Sequence, residues 1–360
     1  MAKTKLSCVF SPGASKLKGP IAITVAMVLL AAITAIATKH TINPSFYYWK
    51  TQFKLSKKEN GIIKELASNE IFIRYFDVDW NQELKEAKPI GVIDFYNQPP
   101  FHQQVIPVVF ITNRVFSNLN SRDTKQLAEE VLSLVLHITN TNNLMVDELQ
   151  IDCDWSESTR DNYFLFLKEL TNKLKQQNMK SSATIRLHQI KHHQRTGIPP
   201  VDRGMLMFYN MGNIKGNTGR NSIFNTKDAA PYMESIKEYP LPLDVALPIF
   251  SWAVHVRNEK VIELLSNTYL EELTALPGIE AKTNNLCVVN HPQYFRGSYL
   301  KRGDHLRLET VDKHLALEAA QLLSKHINRE SRRVVLFRLD SLTIDRYAKE
   351  DIHAIIDCFR

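Results

Sequence analysis

Cysteine and glycine are both scarce in this chain, and the motifs usually built from them are missing. Four cysteines, Cys8, Cys153, Cys287 and Cys358, lie far apart with no CxxC pair and no metal-ligand spacing, which argues against a disulfide scaffold and a cysteine-bound zinc. An oxidising compartment would allow a Cys287–Cys358 disulfide, but free buried thiols are the expectation. Twelve glycines in 360 residues form no phosphate loop. Gly212, Gly216 and Gly219 fall in a polar stretch without a P-loop lysine pattern, which reads as a flexible loop over the site. The one Asn-x-Ser/Thr match, Asn43-Pro44-Ser45, has proline in the middle and cannot accept a glycan. Dense Lys/Arg runs with interleaved aromatics are also lacking, so nucleic acid is not an expected partner. Lys191, His192 and His193 have no acid or cysteine at ligand spacing and read as a solvated loop; no metal and no cofactor are expected.

Acidic residues are absent from the first 38 positions, and this locates the formal charge of +7. Lys3, Lys5, Lys16 and Lys18 lie there; the rest of the chain carries 41 basic against 38 acidic groups. Residues 1–18 therefore read as a basic cytoplasmic leader. From Gly19 to Thr38 run twenty uncharged residues rich in Ile, Val, Leu and Ala. As a helix they would span about 30 Å, the hydrocarbon thickness of a bilayer. Residues 19–38 thus read as a transmembrane or signal helix, and the positive-inside rule puts the remainder of the chain outside the cytoplasm. Ala35-Ile36-Ala37 has the small-x-small pattern of a signal-peptidase site, whereas length and even apolarity favour a retained anchor. The predicted protein is membrane-tethered on the periplasmic side or cell surface, or secreted if cleaved.

Past the anchor, short β-branched or aromatic runs alternate with helical patterns, the mark of β/α units around a parallel sheet. The predicted strands are Phe46–Trp49, Ile71–Val78, Val105–Ile111, Glu148–Cys153, Ser182–His188, Met205–Tyr209, Asp244–Phe250 and Val334–Leu339. Eight parallel strands close a barrel, so residues 43–360 are assigned to an α/β (β/α)8 TIM-type barrel. Tyr163, Phe166, Leu167, Leu170 and Leu174 recur at three and four, as do Leu315, Ala319, Leu322 and Leu323, predicting two amphipathic helices. The long interval before the last strand, about 253–330, predicts an inserted subdomain or lid.

The segment Leu149-Gln150-Ile151-Asp152-Cys153-Asp154-Trp155-Ser156 concentrates the chemistry. Strand alternation turns Gln150, Asp152 and Asp154 to one side and Ile151, Cys153 and Trp155 to the other. In a barrel the polar set faces the interior, and two interior carboxylates are costly unless hydrogen-bonded or functional. They fall at the carboxyl-terminal end of a strand, where barrel enzymes hold their active sites.

Ile-Asp-Cys-Asp-Trp resembles the fourth-strand motif of family 18 glycoside hydrolases, the chitinase-like barrels, which reads roughly DGIDIDWE. Met207-Phe208-Tyr209-Asn210 is similar to that family's Met-x-Tyr-Asp on the sixth strand. Val335-Leu336-Phe337-Arg338-Leu339-Asp340 resembles its last strand, with Arg338 in place of the usual Trp. The resemblance fits as well an exported bacterial family related to these barrels. In the chitinase-like family the closing Glu of the motif protonates the glycosidic oxygen and the preceding Asp supports the substrate's N-acetyl group. Ser156 occupies the Glu position here, and a serine hydroxyl cannot serve as that acid.

These residues allow two readings. In one, the barrel binds and also hydrolyses a glycan through Asp152, Asp154 and a displaced Glu157; Ser156-Glu157-Ser158 also fits a plain helix start with a serine N-cap. In the other, it is a catalytically silent module for a surface glycan or protein partner, with the two aspartates in a network with Arg186 and Tyr209. The expected binding residues are Asp79, Trp80, Arg186, His188, Tyr209, Asn210, Trp252, Arg338 and Asp340, with Trp80 and Trp252 as stacking surfaces for sugar.

Overall fold

The computed structural model describes residues 41–96, 99, 104–215, 220–283, 285–328 and 330–360. The leader and apolar segment predicted over 1–38 lie outside the described residues, as do residues 216–219 of the glycine-bearing loop. Among the described residues no helix is long and apolar enough to cross a membrane.

Eight parallel strands form the barrel: β1 (Ile42–Tyr48), β2 (Glu70–Asn81), β3 (Gln104–Ile111), β4 (Glu148–Asp152), β5 (Lys180–Arg186), β6 (Arg203–Met207), β7 (Leu243–Pro248) and β8 (Arg332–Phe337). Each pairs in parallel with the next, and β1 pairs with both β8 and β2, which closes the ring. The β-branched runs seed these strands because both of their faces are covered. The last turns of the predicted strands differ: β5 ends at Arg186, so His188 sits in the short helix Leu187–Lys191. Lys191 ends that helix, and His193 opens another, His193–Thr196, where a loop was expected.

The helices form the outer layer. Arg160–Gln176 buries Tyr163, Phe166, Leu167, Leu170 and Leu174, the predicted stripe. In Lys313–Ser324 the buried face is Ala316, Ala319, Ala320 and Leu323; Leu315 and Leu322 flank it half-buried, so the stripe is rotated from the predicted one. Cys153, Cys287 and Cys358 are free thiols, the first two buried.

The barrel interior is unusually polar, and its cost is offset by cross-strand hydrogen bonds. At the amino-terminal end, Arg333 of β8 donates to Asp244 of β7 at 2.7 Å, Glu148 of β4 at 2.9 Å and Glu70 of β2 at 3.4 Å. Above it, Ser182 donates to Glu148 at 2.5 Å, Gln150 to Ser182 at 3.3 Å, and the Tyr47 hydroxyl to Gln150. One strand carries an irregularity: the β2–β3 register shifts between Arg74 and Phe76, leaving Tyr75 as a bulge. A bulge of one residue reverses the alternation beyond it. Asp77 therefore takes the interior direction that simple counting from Phe72 assigns to Phe76.

Between β7 and β8 stands a five-stranded antiparallel sheet, in the order Lys260–Ser266, Ser251–Arg257, His305–Thr310, Leu286–Val289, Ile279–Ala281. Its strands have a small core of their own around Ala253, Leu265, Cys287, Val289 and Leu306. The sheet starts three residues after β7 ends, and so it rises beside the carboxyl-terminal mouth of the barrel.

Candidate functional site

The carboxyl-terminal ends of the strands enclose a cavity of about 340 Å³. Its walls combine aromatic residues (Trp49, Phe110, Tyr209, Phe250, Trp252 and Phe337) with Asp77, Asp152, Asp154, Arg186 and Arg338. A second cavity of about 420 Å³ adjoins it, lined by His188, Met211 and Tyr232 among others. Asp154, Arg186, Tyr209 and Asn210 line both, so the two spaces lie on either side of one charged pair. The structure thus brings together Asp152, Asp154, Arg186, His188, Tyr209, Asn210, Trp252 and Arg338 of the predicted residues.

The β4 alternation holds as expected. Asp152 is buried at 5% exposure and accepts from the Thr184 hydroxyl at 2.6 Å. Burial raises its pKa to about 6, the neighbouring Asp154 adding to the rise and Arg186 opposing it. Asp154, two residues on, reaches the open part of the mouth and accepts from Arg186 Nε at 2.5 Å. Burial works against the charge on Arg186, but Asp154 and Asp152 outweigh it and raise the pKa. Its guanidinium lies 6.0 Å from the centre of the Tyr209 ring, while its Nη1 is buried without an acceptor. The Tyr209 hydroxyl donates to Met207 Sδ rather than to a carboxylate, so it is not bonded into the aspartate network. On the opposite side of β4, Trp155 packs against Tyr163 and Phe164 and donates to the Thr196 carbonyl at 2.9 Å. Burial pushes the Cys153 thiol well up.

At the position of the family acid, the Ser156 hydroxyl is 3.4 Å from Asn113 Nδ2 and 3.0 Å from the Ser158 hydroxyl. Thr159 accepts the Ser156 backbone N–H at 3.0 Å. The helix begins only at Arg160 with Thr159 in the cap position, so Ser156 is part of a preceding turn and not the N-cap expected of it. Glu157 is exposed in that turn and lines neither cavity.

Three predicted binding residues stand elsewhere. Asp79 lies past the rim, held by the Thr112 hydroxyl at 2.6 Å and by Arg114, which keeps its carboxyl well below the usual range. Trp80 follows it in the β2 extension that pairs with Glu86–Ile90. Asp340 caps the helix Ser341–Ile344, accepting from Leu342 N at 3.0 Å, and pairs with Lys50 at 3.0 Å. Two others line the mouth in unexpected ways. Trp252 is 6% exposed, with its Nε1 donating to buried Glu309 at 2.9 Å, so it is a wall of the cavity rather than an open stacking platform. Asn210 has φ of 55°, a left-handed turn that an asparagine tolerates.

Counting along single strands missed Trp49, Phe250 and Phe337. Asp77 is paired with Arg74 at 2.7 Å and lines the mouth because of the bulge before it. Phe337 stacks on Tyr209 with ring centres 5.2 Å apart and meets Trp49 at 5.7 Å. Aromatic residues at the ends of three strands are a recoverable signal, but only once the ring of strands is closed.

No family model and no curated protein matches the chain. Among solved structures, the chain is similar to the spore cortex-lytic enzyme SleL of Bacillus cereus at 13% identity and a TM-score of 0.51, over 90% of this chain and 75% of that one. The SleL of Bacillus megaterium QM B1551 gives 13% and 0.51, over 90% and 76%. A chitinase-like agglutinin from Robinia pseudoacacia gives 12% and 0.50, over 88% and 99%. At these identities the likeness is one of fold.

Proposed function

We propose that this chain is a glycosidase-like barrel that binds a glycan in its carboxyl-terminal mouth. The observation that carries the reading is the composition of that mouth: six aromatic side chains and three carboxylates converge on one cavity beside a second. Aromatic faces cover the apolar side of a pyranose, and fixed polar groups meet its hydroxyls. The neighbours named for enzymes and for an agglutinin accord with a fold that serves both catalysis and recognition, and fold by itself fixes neither.

Binding without cleavage is the reading the geometry favours. Ser156 stands at the acid position in a local network of hydroxyls and Asn113, and Glu157 faces solvent outside both cavities. One observation speaks for turnover: Asp152, with its pKa near 6, can hold and release a proton close to neutrality beside Asp154. Assays of the full-length protein on a glycan array, and of product release from every glycan bound, separate the two. Binding lost in Trp49→Ala, with no product released, is the expected result. Product formation abolished by Asp154→Asn would establish hydrolysis instead, and no binding to any saccharide would leave a protein partner.

The basic leader and the apolar run over 19–38 support a barrel tethered outside the cytoplasm. Retention in the membrane pellet after alkaline extraction, with the barrel digested by protease added from outside, is the outcome this placement requires. A barrel protected from protease in intact cells would refute it.

A further inference from the structure

Among the charged side chains that line the mouth, one cation makes no ion pair. Asp77 is taken by Arg74 at 2.7 Å. Asp154 is taken by Arg186 at 2.5 Å. Asp152 accepts from the Thr184 hydroxyl at 2.6 Å. Arg338 remains. It is half-buried in the cavity wall and makes no ion pair or side-chain hydrogen bond among the described residues. The carboxylate that acts on it electrostatically, Asp340, is occupied by Lys50 and by a backbone N–H. Arg296, in the two-stranded hairpin of Gln293–Phe295 and Ser298–Leu300, is itself paired with Glu272 at 2.9 Å and supplies no anion to Arg338. Across the same cavity, Arg186 keeps a buried Nη1 without an acceptor.

A guanidinium partly withdrawn from water and left without an anion is costly, and a ligand that carries the anion removes the cost. The planar fork suits the two oxygens of a carboxylate or sulfate better than a neutral hydroxyl. We propose that the glycan bound in this mouth is an acidic one, whose oxyanion substituent, carboxylate or sulfate, pairs with Arg338 while its ring lies against the aromatic wall. This rests on the glycan-binding reading and adds the charge class of the sugar. Arg338 is then the residue that sets specificity, in the place where the family 18 resemblance implies a neutral aromatic.

The test compares full-length wild type, Arg338→Gln and Arg338→Lys. Each is titrated calorimetrically with oligosaccharides in matched sets: a neutral parent, its carboxylated derivative and its sulfated derivative. Wild type is expected to prefer an acidic member over its neutral parent by about ten- to a hundredfold, the range of a charge-assisted hydrogen bond. Arg338→Gln should erase that preference, leaving acidic and neutral members bound alike, and a thermal melt and circular dichroism spectrum matching wild type certify that the variant is folded. Arg338→Lys should restore only part of it, because an ammonium lacks the fork. The derivative favoured tells carboxylate from sulfate. Equal affinity of wild type for acidic and neutral members overturns the inference and leaves the glycan reading standing. So does a preference that survives in Arg338→Gln. Failure to bind any member overturns the glycan reading beneath it.

Discussion

Replacing Asp152 by Asn should make the protein more stable above neutrality and leave it unchanged in acid. In the folded chain Asp152 is buried at 5% exposure, and burial moves its pKa from the ordinary 3.8 to about 6. The folded state therefore holds this proton more tightly than the unfolded state. Linkage gives the sign: stability falls as pH rises from about 4 through about 6, and the full cost is present above that. At about 1.4 kcal/mol per pH unit the cost is about 3 kcal/mol. Asparagine has nearly the same shape and keeps a carbonyl to accept the Thr184 hydroxyl, while Arg186 keeps Asp154. For the 308 described residues, about 3 kcal/mol corresponds to a rise in melting temperature of about 5 °C. Calorimetric or urea melts of wild type and Asp152→Asn at pH 4 and pH 8 measure it. A gain at pH 8 that vanishes at pH 4 is expected. An equal effect at both pH values, or a loss at pH 8, would refute the account of a carboxylate held against its desolvation.

Other substitutions test other parts of the same structure. Arg333→Ala leaves Glu148 and Glu70 without a cation at the amino-terminal end of the barrel, while Asp244 keeps Arg203 at 2.9 Å, and should cost about 3–5 kcal/mol. The deficit should shrink on acidification, Glu70 protonating first because burial already raises its pKa; a deficit independent of pH would show that lost packing, not stranded charge, dominates. Trp252→Phe keeps the wall but removes the donor to Glu309 Oε2, which retains the Ser222 N–H, so urea melts should show a loss of about 1–2 kcal/mol. Trp252→Ala also opens a cavity and should lose about 3–5 kcal/mol; if both variants cost the same, the indole's volume is irrelevant.

Much of the fold is legible along the chain, because the periods of two and 3.6 that define strands and helices are local properties. All eight barrel strands fall where β-branched runs stand, and the stripe from Tyr163 to Leu174 faces the core. The same alternation correctly turns Asp152 and Asp154 inward and Cys153 and Trp155 toward the helices. Closure of the ring decided what alternation could not. Tyr75 bulges because two strands differ in register, and this brings Asp77 to the mouth while Asp79 passes beyond it. Trp252 is covered because Glu309, 57 residues later, sits under its indole nitrogen. Asp340 belongs to a helix cap and to Lys50, nearly three hundred residues away in sequence. Arg338 lies in a cavity whose other charged side chains, from β2, from the end of β4 and the segment after it, and from the end of β5, already have partners. A sequence states which face a side chain takes. Whether a charge on that face meets a partner depends on distances between strands, and only the closed barrel sets those.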